Sequence, residues 1–256
     1  MKAITSAILL IFLTTISWTN ATQAQEARAK PAPIEAFFCN FQPEKGMKDL
    51  LQVAQRFSQW ADKNETDYSA WILTPQFGEF EKIPQVVWLG SNSSGDTMGK
   101  GLDAWRASGG DIQAAFGDVV ACYSHSVSSS VEVNAPNGPP GDGVVMFTQC
   151  KLAEGSDSEK AVAAHKKYSA ALRDMGAKNS NWMFFPMLGA PSAEERGFDY
   201  WGVAGFSNWT DYFAAYELYV SGGGRQKGME IMKGVTNCGQ GSATVWDVKL
   251  VRQAAR

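Results

Sequence analysis

Residues 36–41, AFFCNF, are a short apolar run with a cysteine near its end, and residues 144–151, VVMFTQCK, make the same statement again. Aromatic and β-branched density in so short a span marks both as strands. Each is followed by a segment of helical periodicity, a tryptophan-bearing strand, a second aromatic strand, another helical segment and a second cysteine. The chain reads as one unit written twice.

In the first copy the opening strand covers 35–41. Met47, Leu50, Leu51, Ala54, Phe57 and Trp60 then fall at intervals of three and four, which predicts an amphipathic helix. Strands are expected at 68–75 and 84–91, a helix at 97–121 broken at Ser108-Gly109-Gly110, and a closing strand at 126–133. Residues 134–142, NAPNGPPGD, leave no room for regular structure and read as a linker. The second copy repeats the plan, with strands at 144–151, 181–188, 198–207 and 242–251. Its helices are expected at 157–175 and 209–235, the latter broken at 221–224. Trp71-x3-Pro75 matches Trp182-x3-Pro186, and Trp88-x-Gly90 sits where Tyr200-Trp201-Gly202 sits. A period of about 110 residues indicates a duplicated domain rather than a solenoid.

The duplication also sorts the four cysteines. Cys39 and Cys122 belong to one copy and Cys150 and Cys238 to the other, with similar separations of 83 and 88 residues. Pairing within copies predicts disulfides Cys39–Cys122 and Cys150–Cys238. No CxxC or CxH spacing occurs, so no metal site is expected. Residues 1–24 carry a positive start, an apolar stretch and small residues at Thr22-Gln23-Ala24, the pattern of a signal peptide. Residues 25–34 read as a flexible leader. Disulfides and a signal peptide together suggest an exported protein, periplasmic or secreted, with no membrane association after cleavage. A net charge of −3 and the lack of a basic patch argue against a nucleic-acid partner.

Each copy, 35–133 and 143–252, has the order β-α-β-β-α-β, which is ferredoxin-like and of the α+β class. First and fourth strands are antiparallel neighbours in that order, which brings each cysteine pair within reach of a bond. Two such units in tandem, rich in strand aromatics, resemble the dimeric α/β-barrel superfamily over roughly 35–252. The resemblance implies two antiparallel sheets packed as a pseudo-dimeric barrel with the helices outside. It also implies a monomer, because one chain supplies both halves.

That superfamily includes small-molecule monooxygenases and haem enzymes, so the fold alone settles little about function. The resemblance implies a ligand between the sheets or between a sheet and its helices. Trp71, Trp88, Trp182 and Trp201, with Phe184 and Trp246, are candidates for the wall of a site for a small apolar or aromatic ligand. The same rings would serve as packing core, and their recurrence in both copies favours that. Asn40, beside Cys39, is a candidate polar contact. His165, on the first helix of the second copy, is the candidate haem ligand in an enzyme reading, although its neighbours Lys166 and Lys167 suggest a solvated face. His125 adjoins a cysteine and reads as structural or exposed. There is no nucleophile elbow, phosphate loop or singled-out carboxylate pair. The sequence therefore points first to binding without a cofactor. A cofactor-independent monooxygenase or haem-type enzyme is the first alternative, and a structural or protein-interaction role the second.

Overall fold

The computed structural model describes residues 30–136, 138–239 and 243–254. The expected signal peptide and the first half of the leader lie outside the described residues. The first half of the chain contains β1 (Ala32–Phe41), α1 (Met47–Lys63), β2 (Ser69–Phe77), β3 (Val86–Ser91), α2 (Gly95–Ser108), α3 (Gly110–Gly117) and β4 (Val120–Asn134). The second contains β5 (Gly143–Leu152), α4 (Ser158–Asp174), β6 (Ser180–Leu188), the short α5 (Ala193–Arg196), β7 (Tyr200–Phe206), α6 (Trp209–Val220), α7 (Gly224–Met232), β8 (Thr236–Cys238) and β9 (Thr244–Arg252).

All pairings are antiparallel. The first half has the spatial order β4-β1-β3-β2 and the second β9-β5-β7-β6, with β8 continuing the ladder on the far end of β5. Two seams join the halves, β2 against β9 and β4 against β6. Eight strands thus close on themselves as a barrel. Closure leaves those strands no open edge to recruit another chain.

Period-two alternation gives the barrel two cores. Inward-facing Ile34, Leu73 and Val87 meet Val145, Phe184, Val203 and Trp246 from the other half. On the outer face of the first half, α1 lays Leu50, Val53, Ala54, Phe57 and Ala61 against Cys39, Ile72 and Val86. The second half repeats this with Ala161 of α4 against Cys150, Met183 and Tyr200. Each fully buried side chain of this kind contributes roughly 1.5–3 kcal/mol. Buried Arg252, at the end of β9, bonds Asp62 of α1 at 2.9 Å and the backbone carbonyl of Tyr68, which ties the last strand to the first half.

Several details depart from the sequence reading: β1 begins at Ala32, so residues 32–34 of the expected flexible leader are strand. β4 begins at Val120, not at 126, because Cys122 already lies in the ladder opposite Cys39. The residues before Ser126 show no alternation that would announce a strand. The internal alignment also shifts by two residues. Val86 lies opposite Cys39 as Tyr200 lies opposite Cys150, so Trp88 corresponds to Gly202, not to Tyr200-Trp201.

Both disulfides are formed, and both lie across neighbouring strands. Each closes a loop of more than 80 residues. Replacing Cys39 and Cys122 together by serine should lower stability by roughly 2–4 kcal/mol. Denaturant unfolding of the variant measures this, and intact mass with thiol labelling checks the starting state. A reactive thiol in the unreduced protein would contradict the pairing.

Candidate functional site

The first-half site grows from the outward-facing side of β1. Ile34, Ala36 and Phe38 point into the barrel, so Glu35, Phe37 and Cys39 face the helices. Glu35 is only 6% exposed. A buried carboxylate is tolerable only when its oxygens are bonded. Oε1 accepts from the Tyr68 hydroxyl at 2.6 Å, and Oε2 lies 2.9 Å from His125 Nε2. The Trp88 indole N–H donates in turn to the Tyr68 oxygen at 3.0 Å. Burial, followed by the charge of Glu35, holds the Tyr68 hydroxyl well above its ordinary pKa, so it remains a donor. Tyr68 reaches this position only because residue 90 is glycine. A Cβ there would lie 1.8 Å from the tyrosine oxygen.

His125 joins the group through a β-bulge. Phe38 pairs with Ser124 but Cys39 pairs with Cys122, which leaves Tyr123 without a partner on β1. Cys122 and His125 are an odd number of residues apart and would face opposite ways on a regular strand. The extra residue turns both to the helix side. Cys122 then meets Cys39, while His125 stacks on Phe37 at 3.7 Å and reaches Glu35.

Beneath the helices, beside this polar group, lies a cavity of about 410 Å³. Its walls are aromatic: Phe57 and Trp60 of α1, Trp105 of α2, Phe116 of α3 and Trp88 of β3. Phe57 stands edge-to-face against Trp88, Trp105 and Phe116 with centroids 5.1–6.3 Å apart. The cover is α2, which presents Met98, Gly101, Leu102 and Trp105 at helical spacing and has no fully buried residue. Three glycines within its 14 residues lower its intrinsic helicity.

The second half keeps the frame and loses the polar group. By strand register and equal element lengths, Met146 stands for Glu35, Asn179 for Tyr68, Gly202 for Trp88 and Ala204 for Gly90. The equal-length helices α1 and α4 place His165 where α1 has Ala54. Large and small have changed sides: Ala54 and Trp88 in one half, His165 and Gly202 in the other. A Cβ on Gly202 would touch the His165 ring at 3.7 Å.

His165 closes a chain of hydrogen bonds. Thr236 donates to the Lys151 carbonyl at 3.0 Å, so Tyr200 donates to Thr236 at 2.6 Å and His165 Nε2–H donates to Tyr200 at 3.0 Å. Burial pushes the pKa of His165 down to about 4. Ligand atoms of Cys150, His165 and Cys238 lie within 4.8 Å of one another, but both sulfurs are committed to the disulfide and offer no thiolate.

Of the residues singled out from sequence, Trp88 lines the cavity. Trp71, Trp182 and Trp201 pack in the barrel interior with Phe184 and Trp246. Asn40 is exposed and accepts from the backbone N–H of Gln85 at 3.2 Å. His165 sits in the other half, away from the cavity. Glu35 and Tyr68 are not singled out by the sequence, and His125, read there as structural or exposed, is part-exposed and bonded to Glu35. A lone glutamate at the head of an apolar strand was the available signal for the first of them.

No protein-family model matches the chain, and no curated protein sequence matches it. Solved structures share its fold and little of its sequence. A protein described as a candidate monooxygenase from Fusobacterium nucleatum subsp. nucleatum superposes with a TM-score of 0.56 at 6% identity, over 88% of this chain and 94% of that one. A chlorite dismutase variant from Candidatus Nitrospira defluvii, in complex with cyanide, gives 0.53 at 6% identity over 86% and 91%. A protein described as a candidate chlorite dismutase gives 0.51 at 9% identity over 87% and 95%. The fold is that of the dimeric α/β-barrel proteins, among them the chlorite dismutase-like and monooxygenase-like members. Haem is the cofactor this fold brings into question, and the residues do not suit a histidine-ligated one. No histidine is among the described residues lining the cavity, and His165 Nε2 is spent on Tyr200.

The depressed pKa of His165 makes stability depend on pH. The unfolded chain takes up a proton near the ordinary value of 6.5 and the folded chain only near 4. Stability is therefore unaffected above 6.5 and falls as pH drops through that window, by at most roughly 3 kcal/mol, with no further loss below it. His165→Gln should flatten this limb in urea denaturation across a pH series. An unchanged limb would assign it to other groups.

Proposed function

We propose that this protein binds a small, flat, mostly apolar molecule in the cavity between the first-half sheet and helices α1–α3. One observation carries the reading. The polar group Glu35–Tyr68–Trp88, with the Gly90 that makes room for it, occurs in one copy of a duplicated chain. Residues that a fold requires recur when the fold is duplicated, whereas a site needs to occur once. A cavity of this size, apolar with a few convergent polar groups, is the usual form of a small-molecule site.

The pairing order within each half supports reading residues 35–133 and 143–252 as two ferredoxin-like units joined by the 134–142 linker. Closure of the barrel by one chain supports a monomer, and two disulfides support export. Among the described residues no helix is long and apolar enough to cross a membrane. An oxygenase activity is suggested by the fold neighbours alone. The buried Glu35 and Tyr68 would be its polar residues, and a haem-type activity lacks its histidine.

Binding is tested by titrating naphthylmethanol into the full mature protein and following tryptophan fluorescence and native mass. One molecule per chain is expected. A Cβ at Gly101 would meet nothing nearer than Asn92 Nδ2 at 4.0 Å, so Gly101→Leu can fold while filling the cavity. It should weaken binding about tenfold or more. Equal affinity in the variant would place the site elsewhere, and failure of the wild type to bind this or any other flat probe of the same shape would remove the reading.

A further inference from the structure

The cavity's charge is unbalanced, and several of its donors are already engaged. The Tyr68 hydroxyl is spent on Glu35, the Trp88 N–H on Tyr68, and the Trp60 N–H on the Ser108 hydroxyl at 3.0 Å. The acceptors are not exhausted. A carboxylate has about four lone-pair positions, and the two groups bonded to Glu35 occupy two of them. No Lys or Arg is among the described residues lining the cavity, and Glu35 is the one acid there. A ligand carboxylate or phosphate would therefore meet a like charge with no cation in the lining to offset it. A ligand that donates hydrogen bonds, or carries positive charge, would find both a free acceptor and an opposite charge.

The walls point the same way. Phe57, Trp60, Trp88, Trp105 and Phe116 line one small volume beside that carboxylate. Aromatic rings carry negative potential on their faces, and tryptophan attracts a cation most strongly. Clustered rings are the usual means of holding alkylated ammonium groups. An apolar ligand alone would explain the rings but not the buried carboxylate. A polar neutral ligand would explain the carboxylate but not the concentration of tryptophan around it.

We infer that the cavity is a site for an organic cation, a protonated or alkylated amine carried on a flat apolar body, with its nitrogen beside Glu35 and among the aromatic rings of the lining. This rests on the cavity being the ligand site, as proposed above, and names the chemistry it selects. His125, which is not among the lining residues, is bonded to Glu35 Oε2 at 2.9 Å and is the ligand's competitor for the carboxylate. It donates through one ring nitrogen and leaves the remaining lone pairs open.

The test compares three probes of one shape on the full mature chain: naphthylmethylamine as the cation, naphthylmethanol as the neutral body and naphthoate as the anion. Naphthylmethyl-trimethylammonium separates attraction by the rings from N–H donation. Calorimetry or tryptophan fluorescence gives the dissociation constants. The amine is expected to bind about tenfold or more tighter than the alcohol, the quaternary ammonium to retain most of that advantage, and naphthoate to bind weakest. In Glu35→Gln the advantage of the amine over the alcohol should collapse. Should that variant not fold, the wild-type series decides by itself. Equal binding of amine and alcohol would overturn the cation assignment and leave the cavity as a neutral apolar site. Tightest binding of naphthoate would overturn it in favour of an anion site. Failure of all four probes to bind would remove the ligand site itself, and the inference with it.

Discussion

The pairing of β1 with β4 carries one unmatched residue, Tyr123, and much of the first half depends on it. On one side of that bulge the two strands are joined covalently through Cys39 and Cys122. On the other they are joined through the stacking of His125 on Phe37 and its bond to Glu35. A regular ladder would have sent one of these contacts into the barrel, where Ile34, Ala36 and Phe38 are already packed against residues of the other half. The bulge lets a single strand edge hold a disulfide and complete a buried polar group on the same face.

That polar group accounts for the open space beside it. Trp88 is bonded to Tyr68 and pressed against Phe57 and Phe116, and it shares a core cluster with the small Ala54 of α1. The second half resolves the same layer differently, with glycine on the strand and histidine on the helix. Both solutions satisfy close packing, which responds to summed volume across the interface rather than to the volume of either side. The first leaves a cavity covered by a glycine-containing helix without a fully buried residue. In the second, Cys150, Ala161, Met183 and Tyr200 form a core cluster, as their counterparts Cys39, Leu50, Ile72 and Val86 do in the first.

Much of the architecture was legible because it is written in periods. The helical spacing from Met47 to Trp60, the breaks at Ser108-Gly109-Gly110 and at Ser221–Gly224, and the repeated cysteines all appear in the structure where the sequence places them. The site was less legible, for reasons of register. Trp88 could be named as an aromatic on a strand, but a one-residue change of phase decides whether such a ring faces the barrel or the helices. Trp71, Trp182 and Trp201 fell on the inner side. His125 was hidden by the bulge, because its odd spacing from Cys122 reads as the opposite face. Glu35 and Tyr68 are 33 residues apart, and nothing local in either stretch announces the other. His165 was read as solvated from the lysines that follow it. The helix instead turns it inward over Gly202, a vacancy on a different strand.

A barrel assembled from two copies of one chain must repeat every residue change on both sides of its axis. A glutamate introduced under one sheet would appear under the other, and so would the space and the strain that accompany it. Here the seams β2–β9 and β4–β6 join two halves encoded separately. Each can drift without dragging its counterpart along. One half holds Glu35 on the helix-facing side of its first strand, and the other holds Met146 at the matching position. A chain that supplies both halves of its barrel is free to differ from one side to the other beneath its helices.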